Sequence, residues 1–485
     1  MMRVAELTAP GGRLARITGY TFWLGVAGFL GLVFSYLISA GLWYACLVLL
    51  AAVPAFVWFH RFPIAGVAVW IAVVPLVTAT ASPAVRQVFW ITHRALPAGV
   101  LVLIIVGSAL RTSPRRLGRL GRAEGLMVGF ILSSLVSIAM LSPEPLAQTV
   151  LFYDRWIVPM CLYLIVRLLE PSLRELRWLI PLAAGLLLFE APIGVATLTV
   201  PHLLPGEWIV LTRATGTFGD PDVLGTTMAF CGVICLWAGT TTRRPVLRAG
   251  SILLFVLAML MMFLTFSRAN WLAGVVVVAA CAWIFRERLG ALVVAGPMVI
   301  AVLLVTGLLA GPLAFAEERL ASQRSQESAL ARLPVAVAAV RMFEARPFTG
   351  WGYGNFDQYS RDFQGTVGNL VTAEKNHASH NLFLSIIAEL GLIGLVSFLG
   401  PMFIWGRRTA RAYGHMPLDA RRFVATLWLV VGSFIIVNNF SVMKSTYGLG
   451  LWWLCLGLIG TTVGRYHTTS PSRWGLEPDP KSGAA

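Results

Sequence analysis

Long apolar stretches alternate with short polar ones along almost the whole chain. Stretches of about 20 apolar residues are long enough to cross the ~30 Å hydrocarbon core of a bilayer as helices. Helices are the expected conformation because lipid offers no partners for backbone N–H and C=O groups. The pattern predicts fourteen membrane-spanning helices, near residues 20–38, 42–59, 64–81, 96–110, 125–140, 151–168, 178–199, 222–239, 250–266, 270–285, 290–312, 382–404, 423–440 and 448–464.

Composition supports this interpretation. The 485 residues are 57% hydrophobic and only 12% charged, whereas an average globular protein has roughly 25% charged residues. The net charge of +16 would suggest a nucleic-acid partner in a soluble protein, but in a membrane protein basic residues first set orientation. We therefore predict an all-α polytopic membrane protein with the lipid bilayer, and no nucleic acid, as a partner.

Basic clusters indicate the orientation, because Lys and Arg concentrate in cytoplasmic loops. Three such clusters fall on the same side of the alternating spans: Arg111, Arg115, Arg116, Arg119 and Arg122; Arg243, Arg244 and Arg248; and Arg407, Arg408, Arg411, Arg421 and Arg422. An even number of spans places both termini on that side. We expect both termini in the cytoplasm.

The spans and loops together predict five regions. These are N-terminal transmembrane helices (residues 1–200), a transmembrane core (201–315), a large extracytoplasmic loop (316–381), C-terminal transmembrane helices (382–464) and a disordered cytoplasmic tail (465–485). Within the large loop, Gln326–Phe343 has apolar residues at helical spacing, with Arg332 and Arg341 near them. This pattern fits a helix at the membrane interface that either handles substrate or caps the bundle.

The outer side carries a first candidate site at Leu211–Asp222. Arg213 lies there among Thr and Gly residues whose hydroxyl and N–H groups could surround a phosphate. The alternative is an ion pair between Arg213 and Asp220 or Asp222. For the two aspartates, turn formation and helix capping are favoured over metal binding.

A second candidate is the tight turn Thr265–Asn270. Ser267, Arg268 and Asn270 form a compact group of hydrogen-bond donors that suits an anionic ligand at the membrane surface. The alternative is that Arg268 reaches to lipid headgroups.

The third candidate lies where the large loop re-enters the membrane. His377 and His380 could share one helix face, but no third ligand is nearby, so we predict no metal site. His380 suits a general base, because a neutral imidazole accepts a hydroxyl proton. We expect Glu389, inside the following span, to pair with a polar group of another helix.

A fourth candidate is the glycine-rich stretch Arg346–Phe356. Glycines alternate there with aromatic residues, including Trp351 and Tyr353. Their ring faces are expected to be exposed and to stack on sugar rings, unless they anchor the loop in headgroups instead. In the seventh span, Glu190 is expected to have a buried structural partner, with a proton relay as the alternative.

These motifs together resemble the O-antigen ligase and O-antigen polymerase family. The resemblance covers about Val200–Gly394 and rests on Arg213 to Asp222, Ser267-Arg268, Pro347 to Phe356, and His380 to Leu384 with Glu389, Gly391 and Gly394. The motif order and the common outer-face position make the combination specific.

The resemblance implies a GT-C-like membrane enzyme with about 12–14 helices. It would move a glycan from undecaprenyl pyrophosphate to a glycan or lipid-linked acceptor at the outer face of the bacterial inner membrane, without metal or cofactor. Arg213 and Arg268 would stabilise the pyrophosphate, and His380 would act as the base. Attack from the face opposite the leaving group would invert the anomeric centre. The other expected substrate contacts are Asn381, Ser267, Trp351, Tyr353, Asn355 and Arg341.

Two alternative functions stay open from the sequence. A polymerase would use the same donor and join it to another lipid-linked repeat. A lipid-linked oligosaccharide flippase or other transporter would need charged residues along an internal cavity. Only Glu190 and Glu389 are expected within the membrane, which counts against the transporter.

Overall fold

The computed structural model describes residues 57–78, 83–110, 117–210, 213–286, 332–364, 379–442 and 445–467, with a few single positions between 28 and 54 and at 314 and 317. The chain divides into two units, residues 1–63 and 64–485, and the elements discussed below belong to the second. The predicted spans at 20–38, 42–59 and 290–312 lie almost wholly outside the described residues. So do His377 and most of the predicted tail.

The described residues form helices, and every predicted span among them coincides with one. In chain order the helices are α1 Pro63–Thr78, α2 Pro83–Ala109, α3 Arg122–Leu141, α4 Pro145–Leu169, α5 Leu179–Thr199, α6 Pro221–Thr241, α7 Pro245–Leu264, α8 Arg268–Ile284, α9 Arg332–Ala345, α10 Phe356–Gln364, α11 Leu382–Ala412, α12 Leu418–Phe440 and α13 Thr446–His467. Within this part of the chain, eight helical segments are long and apolar enough to cross a membrane, and α1, α2 and α8 contain shorter apolar segments. The chain is an all-α polytopic membrane protein.

The candidate site residues lie at one end of the helix bundle. There, Phe218 of the loop before α6 stacks on Tyr447 at the start of α13, with 5.1 Å between ring centroids. At the opposite end, Trp237 near the end of α6 packs on Phe423 near the start of α12, at 4.6 Å. We call the first the loop end. The second is called the basic end, because Arg243, Arg244, Arg407, Arg408, Arg411, Arg421 and Arg422 lie there.

Helix α6 forms the centre of the bundle. Its membrane-length window is buried throughout, and α5, α7 and α12 all pack against it. Gly225 allows α8 to approach, since a Cβ at this position would collide with the Asn270 amide. The loop before α6 is therefore attached to the most completely buried of the described membrane-length helices.

Buried charges are more numerous than the sequence pattern suggested. Asp154 of α4 forms a two-point ion pair with Arg94 of α2, and Arg167 pairs with Glu124 at 3.0 Å. The expectation that Glu190 and Glu389 are alone within the membrane is wrong. It failed because each of these pairs joins residues distant in sequence, and pairing makes a buried charge tolerable.

Helix α11 is interrupted where the glycine-rich stretch meets it. Gly391 has φ 63° and ψ −159°, a conformation essentially restricted to glycine. The broken helix exchanges backbone hydrogen bonds with the glycine-rich stretch: Gly352 N–H donates to the Glu389 carbonyl at 2.9 Å, and Leu392 N–H donates to the Pro347 carbonyl at 2.8 Å. The stretch thus replaces part of the helix's own hydrogen bonding.

Replacing Gly391 with alanine is expected to destabilise the protein by at least about 1–3 kcal/mol. Its φ is left-handed, and an added Cβ would collide with the backbone at Phe348 and Thr349. Thermal unfolding of the purified protein in detergent measures this. Gly185→Ala is the matched control, because a Cβ there meets nothing within 4 Å; equal melting temperatures for the two variants would contradict the prediction.

Candidate functional site

Glu190 anchors the loop that carries Arg213. Its carboxylate accepts hydrogen bonds from the Thr217 N–H at 2.9 Å and the Thr217 hydroxyl at 2.7 Å, and its side chain is fully buried. Gly216, with φ 58°, leaves room that a Cβ would take from this carboxylate. The expectation of a buried structural partner for Glu190 is confirmed.

The start of α6 and the turn before α8 are joined by hydrogen bonds. Asp220 caps α6, accepting from the backbone N–H groups of Asp222 at 2.8 Å and Val223 at 3.4 Å, so the predicted capping role is confirmed. Ser267 donates its hydroxyl to Asp222 at 2.6 Å, and Asn270 donates to the Pro221 carbonyl at 2.9 Å. This network fixes the position of Arg268, the first residue of α8.

Three arginines and two aspartates interact electrostatically at this junction. Burial lowers the pKa of Arg213, Asp222 and Asp220 raise it, and Arg268 lowers it further. Burial also lowers the pKa of Arg332, as does Arg268. The structure therefore brings Arg213 and Arg268 together, as the sequence analysis proposed, and adds Arg332. We call these three residues the arginine cluster.

Arg332 was noted in the sequence but given no role. It begins α9, and α9 packs on α11 through a small core that includes Val335, Met342 and Ala388. Its Nε is buried and has no hydrogen-bond partner among the described residues. The available signal was its position at the start of an amphipathic helix, but sequence alone did not show which surface that helix end faces.

The Asp222 and Asp220 carboxylates near the arginine cluster also accept hydrogen bonds from neutral groups. Asp220 is committed to the cap of α6, and Asp222 accepts from Ser267. Burial and the neighbouring Asp222 raise the pKa of Asp220, so this carboxylate is a weaker counter-charge than an exposed one. Among the described residues, three guanidiniums and two carboxylates therefore meet at this junction.

His380 lies immediately before α11, at the same end of the bundle. Its φ is 50°, a left-handed conformation that His adopts more readily than most residues. Asn381 caps the helix, with its side-chain oxygen accepting from Phe383 N–H at 2.9 Å and Leu384 N–H at 3.0 Å. The Asn381 amide also donates to the Asn439 carbonyl of α12 at 3.1 Å. These contacts hold the backbone next to His380.

Replacing Asn381 with alanine is expected to cost about 0.5–2 kcal/mol of stability, because two N–H groups of α11 lose their acceptor. Asn381→Asp keeps the acceptor for both N–H groups and loses only the amide donor to the Asn439 carbonyl, so it is expected to lose less stability than the alanine variant. Thermal unfolding of both variants measures the effect. If alanine and aspartate destabilise the protein equally, capping is not what this side chain contributes.

Tyr353 and Asn355 are buried rather than exposed. Tyr353 is 5% exposed, its hydroxyl accepts from Trp156 Nε1 at 3.0 Å, and burial raises its pKa to about 12. Asn355 is 2% exposed and donates to the Leu141 carbonyl at 3.0 Å. The expectation of an exposed tyrosine face is wrong, because Tyr353 packs into the bundle between α3 and α4. Both residues position the stretch, and their predicted contact with substrate stays a prediction.

Trp351 and Arg341 make local contacts yet remain partly accessible. Trp351 donates its Nε1–H to the Met342 carbonyl at 2.8 Å, and the Arg346 guanidinium lies 4.0 Å from its ring centroid. Arg341 donates to the Phe363 carbonyl at 3.0 Å and so completes the end of α10. Their predicted contact with substrate stays a prediction.

Glu389 binds the backbone of the glycine-rich stretch. It accepts from the Phe356 N–H at 3.3 Å and from the Gly354 N–H, with Arg155 of α4 in electrostatic range. Arg155 is therefore the nearby polar group on another helix that was expected. The hydrogen bonds to Glu389, however, come from the glycine-rich stretch, which corrects the expectation. A carboxylate can collect several N–H groups because it has only acceptor sites.

No group of three or more His, Cys, Asp or Glu residues lies close enough to hold a metal ion in the part of the chain that the structure describes. The described cysteines are buried and unpaired. What the loop end offers to a ligand is guanidinium and imidazole groups, which suit an anionic group and a proton transfer.

Comparison with known families agrees with these features. Residues 227–399 match the sequence model of the O-antigen ligase family. Over these residues the chain is similar to the O-antigen ligase family. The matched region runs from α6 into α11 and includes Arg268, Arg332 and His380, while Arg213 precedes it. A comparison with curated proteins finds no match. The match supports a function of the O-antigen ligase or polymerase type in a multi-pass membrane protein.

Proposed function

We propose that this O-antigen ligase family protein transfers a glycan from undecaprenyl pyrophosphate to an acceptor hydroxyl at the outer face of the bacterial inner membrane. The observation that carries the proposal is the arginine cluster, which gathers Arg213, Arg268 and Arg332 at the loop end. The basic end, which carries the other arginine groups, faces the cytoplasm. Both termini are then cytoplasmic, and the arginine cluster lies on the outer side.

The arginine cluster acts on the leaving group. Breaking the bond between the sugar and the pyrophosphate transfers negative charge to the phosphate oxygens. Fixed guanidiniums in a partly buried site stabilise that charge without having to reorganise, and each can make two parallel hydrogen bonds to phosphate. The gathering of three guanidiniums in one place favours an anionic pyrophosphate donor over a neutral one. No metal ion or cofactor is required for this step.

His380 removes the proton of the attacking acceptor hydroxyl. Attack from the face opposite the pyrophosphate inverts the anomeric carbon, and the proton passes from the hydroxyl to the imidazole. Asn381 and Ser267 act by holding the His380 and Arg268 backbones through the contacts described above. Trp351 and Arg341 are the remaining proposed sugar contacts, because each keeps accessible atoms at the loop end.

The proposal is tested with the purified full-length protein, an undecaprenyl-pyrophosphate glycan and a panel of hydroxyl acceptors. Electrophoresis that shows a single glycan added to a lipid or core-oligosaccharide acceptor indicates a ligase, the activity that the matched family's description favours. A ladder of products indicates polymerisation of lipid-linked repeats. Movement of the lipid-linked glycan across vesicles without any new glycosidic bond would contradict the proposal and indicate a flippase.

A further inference from the structure

Helix α4 contains one turn that is wider than an α-helical turn. Residues Tyr153–Ile157 are π-helical, and the Val158 N–H donates to the Tyr153 carbonyl. Turns of this kind are rare and are frequent at functional sites. The proposed transfer mechanism gives this turn no part, although the Trp156 side chain reaches from it to Tyr353 of the glycine-rich stretch.

Arg155 of the π-helical turn contacts two residues that fix the glycine-rich stretch. Its guanidinium interacts electrostatically with Glu389, whose carboxylate accepts backbone N–H groups of the stretch. It also donates a hydrogen bond to the Tyr353 hydroxyl, which accepts from the Trp156 Nε1–H as well. Arg155 therefore pairs with the buried Glu389 charge and holds the stretch at a second point.

The glycine-rich stretch determines how α9 lies on α11. Ala388, the residue before Glu389, packs in the small core under α9 together with Val335, which is about one helical turn from Arg332. The Trp351 N–H of the stretch donates to the Ala388 carbonyl at 3.0 Å, and the stretch follows α9 directly along the chain. A displacement of the stretch is therefore transmitted to α9 and to the Arg332 guanidinium.

The residue before Arg155 provides a comparison. Asp154 of the same π-helical turn forms the two-point ion pair with Arg94 of α2. This pair joins α4 to α2, whereas Arg155 joins α4 to the glycine-rich stretch and to α11. Because the two neighbouring charges have separate attachments, the pair of Asp154 and Arg94 is a matched control for Arg155.

We propose that Arg155 is a positioning residue for glycan transfer: by holding Glu389 and Tyr353 it fixes the glycine-rich stretch, and thereby the place of Arg332 in the arginine cluster. The inference rests on the proposed function, in which Arg332 acts on the pyrophosphate. A displacement of about 1 Å at a reacting group can change a rate by about 10²-fold. A contact remote from the chemistry can therefore control the transfer rate.

The test compares transfer rates and unfolding temperatures of full-length variants. Arg155→Gln is expected to lower the transfer rate by about 10–100-fold. Arg155→Lys keeps a positive charge beside Glu389 but lacks the forked guanidinium donors, so it is expected to give an intermediate rate. The control, Arg94→Gln with Asp154→Asn, removes the neighbouring ion pair and is expected to transfer at the wild-type rate.

Two double variants separate positioning from stability. Arg155→Gln alone leaves the buried Glu389 charge without this partner, which is destabilising. Arg155→Gln with Glu389→Gln removes both charges and is expected to unfold near the wild-type temperature while its transfer rate stays at least about tenfold lower. In the Arg332→Ala background, Arg155→Gln is expected to lower the rate by less than about threefold more, because independent effects would multiply.

Spin labels report the position of α9 without any activity. Leu333 of α9 and Val275 of α8 are exposed, and cysteines there can be labelled in a Cys46→Ser background, since the other native cysteines are buried. The distribution of distances between the labels is expected to broaden in Arg155→Gln and to stay as in the wild type in the control. If the wild type transfers no glycan but the distribution broadens, the proposed function fails while the positioning of Arg332 by Arg155 stands.

Several results would overturn the inference. A rate that recovers together with the unfolding temperature in Arg155→Gln with Glu389→Gln would show that Arg155 only stabilises the fold. An equal loss in the control would show a general effect of charge at the π-helical turn. An unchanged distance distribution in Arg155→Gln, or a full additional loss in the Arg332→Ala background, would show that Arg155 does not act through α9.

Discussion

Replacing His380 with alanine is expected to lower the rate of glycan transfer by about 10²–10⁴-fold, because the acceptor hydroxyl loses its general base. Binding of the lipid-pyrophosphate donor is expected to persist, since the arginine cluster is unchanged. The variant should therefore lose turnover at saturating donor and keep its affinity for the donor. Single-turnover product formation and a separate donor-binding measurement check the two parts.

The control for His380 is His202→Ala. His202 is exposed in the loop after α5, at the same end of the bundle, and is expected to have no effect on transfer. Folding is checked by thermal unfolding, because the His380 backbone lies in a left-handed conformation that alanine adopts less readily. His380→Asn tolerates that conformation but cannot serve as the base, so near wild-type turnover in this folded variant would contradict the assigned role.

The sequence predicted the positions of helices well but their lengths less well. The span at 96–110 was the shortest prediction, whereas α2 begins at Pro83. The polar residues before the apolar run lowered its apparent hydrophobicity. In the folded chain Arg94 is neutralised by Asp154, a residue 60 positions away. A local hydropathy pattern contains no information about such a partner.

The candidate site could be predicted only in part, because a local sequence pattern does not show tertiary contacts. Residue types and order brought out Arg213, Arg268 and His380, because unusual polar residues near the membrane are visible in a sequence. The glycine-rich stretch was misinterpreted, since alternating aromatic residues look alike whether their rings face solvent or a neighbouring helix. Tyr353 faces the bundle because Trp156 of α4 lies there. That contact depends on tertiary packing.

The break in α11 also depends on contacts between residues distant in sequence. Gly391 could be recognised as a packing glycine, but the break in α11 requires the opposing carbonyl of Pro347 and the loop N–H groups as partners. Glu389 collects loop N–H groups at the same level. The same loop leads back to α9 and Arg332. The position of one arginine of the cluster is therefore coupled to the helix that begins next to His380.

Replacing any arginine of the cluster with alanine is expected to lower glycan transfer by about 10²–10³-fold, the usual effect of removing one donor from a developing anion. Lysine at Arg213, Arg268 or Arg332 is expected to restore only part of this rate, because an ammonium group cannot make the paired hydrogen bonds. Combined variants should lose less than the product of the single losses, since the three groups act on one phosphate group. Steady-state rates with a lipid-pyrophosphate donor measure each effect.

Stability measurements separate catalysis from a structural role at Arg332. Its Nε is buried without a hydrogen-bond partner among the described residues, and it lies near two other cations. Removing it relieves repulsion, so Arg332→Ala is expected to unfold at the same temperature as the wild type or a higher one while its transfer rate falls. Arg361→Ala, at an exposed position on α10, is the matched control and should change neither quantity. A residue retained for phosphate binding lowers the stability of the protein until the phosphate is bound. A lower unfolding temperature with an unchanged transfer rate in Arg332→Ala would therefore show that Arg332 stabilises the fold and does not bind the donor.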